Sequence, residues 1–346
     1  MKTLETNRLL LRQFEEDDFA SVQSYAGCKE NIVFMPFGPN SVEETRAFIS
    51  RSIAEAQKSP CANYQYAAVE KKTEKLIGAC NLAINGNEAE IGWLVHRDYW
   101  RQNYGSEMGA ALLQFGFEQL NLHRIIAHCD AENIASYKTM EKLGLRREGL
   151  FLEARPANKL SQAEYGDELS YAILKSEWET HNEIAYYNAL PVVFDDFMDV
   201  PTLSDGEIAL VCIAKSPANP EMKYVPAYQF AVCKAGEQIG EVNLRVGYAG
   251  GFNWHSLYYG GQVGYSINES HRGHGFAIRA CRLLAPVAKF HGMEKLLITN
   301  NCTNIASRRV CEKLGARLLR VARLPEWHDL YKEGQRFINV FEWTVK

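Results

Sequence analysis

The sequence predicts an α/β (α+β) protein built from two tandem copies of one domain, each a mixed, mostly antiparallel sheet of about six to seven strands flanked by helices. Three observations carry that expectation. A phrase recurs at long range, strand-like segments are joined by tight turns, and helical stripes interrupt them in the same order in both halves. The phrase is NIASYKTMEKLG from Asn133, which returns as NIASRRVCEKLG from Asn304.

The two phrases stand 171 positions apart. Upstream, IGWLV at Ile91 falls on VGYSI at Val263, and WRQNYGSE at Trp100 falls on RGHGFAIR at Arg272, both at a shift of 172. The one-residue slip lies in the loop around Leu120 and Gly292, and KLIGACNL at Lys75 resembles QIGEVNL at Gln238. Four matches in one order exclude chance, and a period so far above the ~20–50 residues of solenoid repeats indicates a duplicated domain. The expected domains are residues 1–180 and 181–346, in keeping with a length of about two domains.

In the first copy RLLLRQF (Arg8–Phe14) reads as a strand, followed by helices across Glu15–Ala26 and Val42–Lys58. YQYAAVE, KLIGACNLAI and AEIGWLVH are three strands with tight turns, notably NGN at Asn85–Asn87. From about Gly105 to Leu120, Met108, Leu112, Phe115 and Leu120 form a helical stripe. HRIIAHCD is a short buried strand. NIASYKTMEKLG is a helix with Asn133 as its N-cap and Gly144 just past its end, and two strands close the unit.

The second copy repeats the strands GEIALVCI, AYQFAVC, QIGEVNLRVGY and GGQVGYSIN, then a helix over Phe276–His291, the strand KLLITN, the helix from Asn304 and two final strands. Only the short stretch Ala214–Val225 separates its first two strands, so the two helices of the first copy have no room there. Either the aromatic linker (Ile184–Val200) or the first copy is expected to wall the second site instead. Phe252, Trp254, Tyr258 and Tyr259 line a pocket or cover a core.

Composition narrows the function. A net charge of −4 and a pI near 6.2 lack the basic stripe of nucleic-acid binders. No apolar run approaches the ~20 residues of a membrane helix. The opening stretch has Glu5 and arginines inside its apolar run, unlike a signal peptide. Nine cysteines stand singly with no CxxC pair, which points to a reduced, cytoplasmic protein without a zinc site.

The richest stretch is YSINESHRGHGFAIRACRLL, where a strand runs through Arg272, Gly275 and Ala277 into a helix. Small residues at such a corner aim successive backbone N–H groups into one pocket, and the helix N-terminus adds partial positive charge, so a phosphate or pyrophosphate is the expected guest. The alternative is an ordinary glycine-rich turn. A dinucleotide fingerprint fits poorly, because the spacing is not GxGxxG and no acidic residue closes a strand about twenty residues on. His271 and His274 lie in a turn without a carboxylate partner, so no metal is expected.

The order of strand, R/Q-x-x-G-x-G/A, helix, strand, and a helix opening with Asn and ending near K-L-G resembles the GNAT superfamily of acetyl-CoA-dependent N-acetyltransferases. The first copy, through LETNRLLLR, EIGWLV, WRQNYGSE, NIASYKTMEKLG and GDELSYAILKSEWE, resembles the RimJ/RimL-like branch that acetylates ribosomal-protein N-termini and, in relatives, small amines or antibiotics. The resemblance covers residues 4–179 and, in the second copy, about 206–345.

The resemblance implies acetyl-CoA as cofactor and a small-molecule or peptide amine as acceptor, with direct attack in a ternary complex. It implies that Trp100, Arg101, Gln102, Asn103, Gly105 and Ser106 wrap the CoA pyrophosphate in the first copy. Arg272, Gly273, His274, Gly275, Ala277 and Ile278 do so in the second. Pantetheine would pair with the strand before each loop, with backbone groups at Leu94, Val95 and Ile267 meeting the thioester end. Asn133 and Asn304 match the asparagine that touches CoA, with a plain N-cap as the alternative.

A lysine-like amine is mostly protonated at pH 7, a penalty of roughly 4–5 kcal/mol, whereas an α-amine pays only about 1 kcal/mol. Glu90 matches a position where family members keep a base, with an exposed strand-start carboxylate as the alternative; its counterpart Gln262 takes no proton. The tyrosine expected to protonate the leaving thiolate is replaced by Met140 and Cys311, leaving Cys311, Ser136 and Ser307 as the candidate donors. Asn103 stands where a loop glycine belongs. The first copy is therefore expected to be the catalytic unit, and the second to act on a less basic amine or to be regulatory or structural. A CoA-binding regulatory or oligomerisation protein with one or both domains catalytically degenerate is the alternative, and a homodimer is left open.

Overall fold

The computed structural model describes residues 2–157, 159–219, 221, 224–247 and 254–345, of residues 254–256 the backbone alone. The chain divides into two compact units, Met1–Trp178 and Glu179–Lys346. Among the described residues no helix is long and apolar enough to cross a membrane.

The first unit carries strands β1 (Leu4–Glu5), β2 (Leu9–Arg12), β3 (Asn63–Glu70), β4 (Lys75–Asn85), β5 (Glu88–Val95), β6 (Arg124–Asp130), β7 (Arg146–Pro156) and β8 (Tyr165–Leu174). They form one eight-stranded sheet in the order β1-β2-β3-β4-β5-β6-β8-β7. Every pairing is antiparallel except β5 with β6, which run parallel and touch only where Glu88–Glu90 meets Arg124–Ile126. Beyond Glu90 the two strands part, and that gap locates the site.

Helices α1 (Phe19–Ala26), α2 (Lys29–Ile32) and α3 (Val42–Ala56) separate β2 from β3. The helix expected over Glu15–Ala26 opens instead as a 3-10 turn at Glu16–Asp18, and the short α2 was not foreseen. Ser41 and Glu44 cap α3 reciprocally, Ser41 Oγ accepting from Glu44 N at 3.2 Å and Glu44 Oε2 from Ser41 N at 2.8 Å. Helix α4 (Tyr104–Gln114) continues as a π-helical turn to Gln119, and α5 (Ile134–Lys142) begins at Asn133, whose Oδ1 accepts from Ser136 N at 3.1 Å.

Alternation along β5 sorts its side chains. Ile91 joins the core with Met108 and Leu112 of α4, while Leu94 joins the cluster of Val22, Tyr25 and Ile49 under α1 and α3. In β6, Ile125, Ala127 and Cys129 enter the α4 core, so Ile126, His128 and Asp130 face the side of α1 and α3.

Helix α6 (Lys175–Asn188) spans the division, and its Ile184 and Tyr187 belong to the second core. The second unit's strands are β9 (Leu203–Ser204), β10 (Ala209–Ser216), β11 (Ala227–Lys234), β12 (Glu237–Arg245), β13 (Val263–Ile267), β14 (Lys295–Asn301), β15 (Arg317–Arg323) and β16 (Phe337–Thr344). Where six to seven strands in one sheet were expected, they form a five-stranded sheet, β13-β12-β11-β10-β9, and a three-stranded one, β14-β16-β15. Its helices are α7 (Trp254–Gly260), α8 (Phe276–Leu283), α9 (Ala285–Phe290), α10 (Ile305–Leu314) and α11 (Asp329–Lys332). The helix expected over Phe276–His291 is broken at Leu284, because Pro286 lacks the N–H that would continue the ladder. Among the described residues no helix lies between β10 and β11.

Candidate active site

Each unit bends from strand to helix through a loop of the same backbone shape. In the second, Gly273 and Gly275 have φ of 83° and 82°; in the first, Arg101 and Asn103 occupy those positions with φ of 60° and 63°. This left-handed conformation is free for glycine and costs other residues about 1–2 kcal/mol, asparagine less. Arg101, Gln102 and Asn103 lie exposed ahead of Gly105 and Ser106 in the first turn of α4, as His274 lies ahead of Ala277 and Ile278 in α8. The backbone N–H groups of residues 101–103 and 273–275 donate to no acceptor among the described residues. First-turn N–H groups of the helices add to them. An extra Cβ at Gly273 or Gly275 would meet nothing within 4 Å, so the loop is open on its outer side. Both loops fit a phosphate-bearing coenzyme.

The two loops are also latched alike. Trp100 Nε1 donates to Val95 O at 2.8 Å, and Arg272 Nε donates to Ile267 O at 3.0 Å. Those two side chains therefore tie the loop to the end of its own strand. Asn31 Nδ2 adds a second donor to Val95 O at 3.0 Å.

In the first unit the parting of β5 and β6 opens into a cavity of about 930 Å³, walled by α1, α3 and residues 34–38. Four residues expected from the sequence line it: Glu90, Leu94, Asn133 and Ser136. The sequence reading missed Tyr25, His128 and Glu168, which line it too. His128 Nδ1 lies 3.3 Å from Glu168 Oε1, without hydrogen-bond geometry. Glu90 pairs in the ladder with Ile126, one strand neighbour and two residues from His128, on the same face of the sheet. Beside Ser136, burial pushes the Cys129 thiol up to about 11, against the pull of the Ser136 hydroxyl.

The second unit lacks titratable counterparts of Glu90, His128 and Glu168. Glu90 corresponds to Gln262, which is 1% exposed; its Oε1 accepts from Leu297 N at 2.8 Å and its Nε2 approaches Met293 Sδ at 3.6 Å. His128 corresponds to Thr299, and Glu168, opposite Asp130, corresponds to Ile338, opposite Asn301. From Gly78 to Ile91 is 13 positions, but from Gly240 to Val263 is 23, an insertion of 10. Part of that insertion folds as α7, burying Leu257, Tyr258 and Tyr259 and setting Gly261 against Thr299, where an added Cβ would come within 3.1 Å of its N and Oγ1. Tyr258 and Tyr259 are thus core; Phe252 lies outside the described residues, as does the Trp254 side chain.

Cys311, expected as a proton donor, is corrected by its burial. It is 0% exposed in the core, Asn300 Nδ2 donates toward its sulfur at 3.6 Å, and desolvation pushes its thiol up to about 11. Ser307 is held by Tyr265, hydroxyl to hydroxyl at 2.9 Å. Asn304 caps α10 through Ser307 N at 3.0 Å. The linker residues Phe194 and Phe197 pack on His291 and Tyr228 of the second unit, ring centroids 5.3 and 5.1 Å apart.

The chain matches the acetyltransferase (GNAT) domain over residues 8–146 and 191–317. It belongs to the GNAT acetyltransferase family. The uncharacterized N-acetyltransferase YnaD of Bacillus subtilis (strain 168) is 36% identical over 176 residues, 50% of this chain and 97% of its own length. The uncharacterized N-acetyltransferase p20 of Bacillus licheniformis is 31% identical over 182 residues, 51% of this chain and 99% of its own. A solved GNAT-family acetyltransferase from Bacillus anthracis is 34% identical, covers 51% of this chain and 100% of that one, and has a TM-score of 0.45. Half of this GNAT protein is enough to span each of these relatives, and the family match falls in both halves, as a tandem arrangement requires. The protein is an acetyltransferase, and its family uses acetyl-CoA.

Proposed function

We propose that the first unit transfers an acetyl group from acetyl-CoA to a primary amine by direct attack in a ternary complex, and that the second unit holds the coenzyme without transferring. Bound acetyl-CoA supplies an acyl group on a readily leaving thiol. The loop at Arg101–Ser106 receives the pyrophosphate, and the edge of β5 freed beyond Glu90 receives the pantetheine arm. Glu90, directly or through a water, takes the proton of the amine as its nitrogen bonds to the acyl carbon and the carbon–sulfur bond breaks. His128, beside Glu168, gives the proton a second station, and Ser136 stands at the cavity wall as a donor to the departing sulfur.

The observation that carries this reading is the cavity, which gathers Glu90, His128, Glu168, Asn133 and Ser136 where the strands part. Replacing the first three by Gln262, Thr299 and Ile338 leaves the second unit no base at those positions. Thiol release by the full chain over a panel of amines tests it. Glu90→Gln is expected to lower kcat/KM about 100-fold or more for amines of pKa near 10, and less for α-amines near 8, with the melting temperature unchanged. An equal rate in the variant, or CoA-dependent thermal stabilisation with no turnover of any amine, contradicts it.

A further inference from the structure

The cavity of the first unit holds polar groups that nothing among the described residues satisfies. Tyr25, 3% exposed, is among the lining residues and its buried hydroxyl meets no partner among the described residues, and His128 Nδ1 is likewise without a hydrogen bond. A buried hydroxyl left unpaired is costly, so such a group marks a place where something else binds. Burial drives the Tyr25 phenol upward, which makes it a neutral hydrogen-bond donor and too weak an acid to protonate a thiolate of pKa ~8.5.

The charges in the wall divide in the same way. Glu44 pairs with Lys159 at 2.7 Å, Arg155 with Asp130 at 3.0 Å, and Glu168 lies beside His128. Glu90 and Arg51 also line the cavity and have no counter-ion among the described residues. Glu44, Phe48 and Arg51 share one face of α3, at steps of four and three residues, so the helix presents Arg51 to the same space. A spare guanidinium in the same wall as Glu90 suits a molecule with a charge of each sign. A polyamine, all cation, gains nothing from that guanidinium.

We infer that the acceptor is a small amine carrying a carboxylate, its nitrogen set at Glu90 and His128 and its carboxylate held by Arg51 and the Tyr25 hydroxyl, which makes Tyr25 and Arg51 the specificity-determining residues. This rests on transfer by the first unit. Guanidinium and phenol donors together make charge-assisted hydrogen bonds that a neutral end cannot match.

The test uses two matched pairs with the full chain and acetyl-CoA, phenylalanine against phenethylamine and 6-aminohexanoate against hexylamine, with spermidine alongside. In at least one pair the carboxylate-bearing amine is expected to have a kcat/KM about tenfold or more above its partner and above spermidine. Arg51→Ala erases that preference, and Tyr25→Phe lowers it severalfold. Because Tyr25→Phe removes a hydroxyl with no partner among the described residues, its melting temperature stays level or rises, an outcome a purely structural tyrosine would not give. Equal use of both members of each pair, preference for spermidine, or loss that is the same for every amine overturns the inference. Thermal shift with the same compounds keeps the two readings apart: selective binding without turnover contradicts transfer but retains this acceptor class.

Discussion

Arg101 and Asn103 hold a backbone conformation that their counterparts Gly273 and Gly275 hold at no cost. The first loop is therefore kept in shape by its surroundings, including Lys142 Nζ donating to Asn103 Oδ1 at 3.0 Å. Arg101→Gly should remove about 1 kcal/mol of strain, partly offset by a more flexible unfolded chain. The expected result is an unchanged or slightly higher melting temperature and a severalfold tighter coenzyme A complex by calorimetry; weaker binding would show that the Arg101 side chain itself touches the coenzyme. Asn103 was legible as the residue in a glycine's place because asparagine tolerates this geometry. Arg101 was not, because nothing about an arginine announces a positive φ. Glu90 was readable from its strand, whereas Tyr25, His128 and Glu168 come from three distant segments and meet only where β5 and β6 part. Cys311 shows the reverse failure: its chemistry was plausible, and burial removed it.

At the scale of elements, caps were the most legible feature, since Asn133 and Asn304 each bond the N–H three residues on and Gly144 and Gly315 follow with φ of 86° and 80°. Helix α7 was illegible, because its segment of glycines and aromatics carries no helical stripe, and its burial depends on β14. Gln262 stands where the first unit has Glu90, and Gly261, just past α7, lies against Thr299, the counterpart of His128. Gln262 links to β14 twice, its backbone N donating to Leu297 O at 2.7 Å and its Oε1 accepting from Leu297 N at 2.8 Å, where the first unit uses a parallel ladder. Gln262→Ala leaves the Leu297 N–H unsatisfied and is expected to destabilise the second unit by about 1–3 kcal/mol in denaturant titration of the full chain, without lowering acetyl transfer. A fall in transfer with stability intact would mean that Gln262 takes part in chemistry.

Across the whole molecule, the internal repeat made two domains and one fold class readable from the chain, while the eight strands and the divided second sheet were not. Sheet continuity depends on a few hydrogen bonds that no pattern of alternation encodes. The second unit also carries a proton-linked weakness. His291 is 1% exposed, with Nδ1 at 3.1 Å from Val193 O and Nε2 at 2.7 Å from the Tyr228 hydroxyl, and burial holds its pKa below the usual range. The folded state thus binds this proton less readily than the unfolded chain. Its contribution is fully present above pH ~6.5 and is lost as pH falls through the depressed value. Melting followed between pH 7.5 and 5 should show the transition containing the second unit moving down; a transition flat over that range would contradict this.

Two coenzyme loops and one set of proton-accepting groups give a count that can be measured. The full chain saturated with labelled acetyl-CoA is mixed with excess amine and an unlabelled chase, and labelled product is counted per chain. The account predicts two labelled coenzymes bound and no more than one acetyl group delivered; two delivered, or none bound, would contradict it.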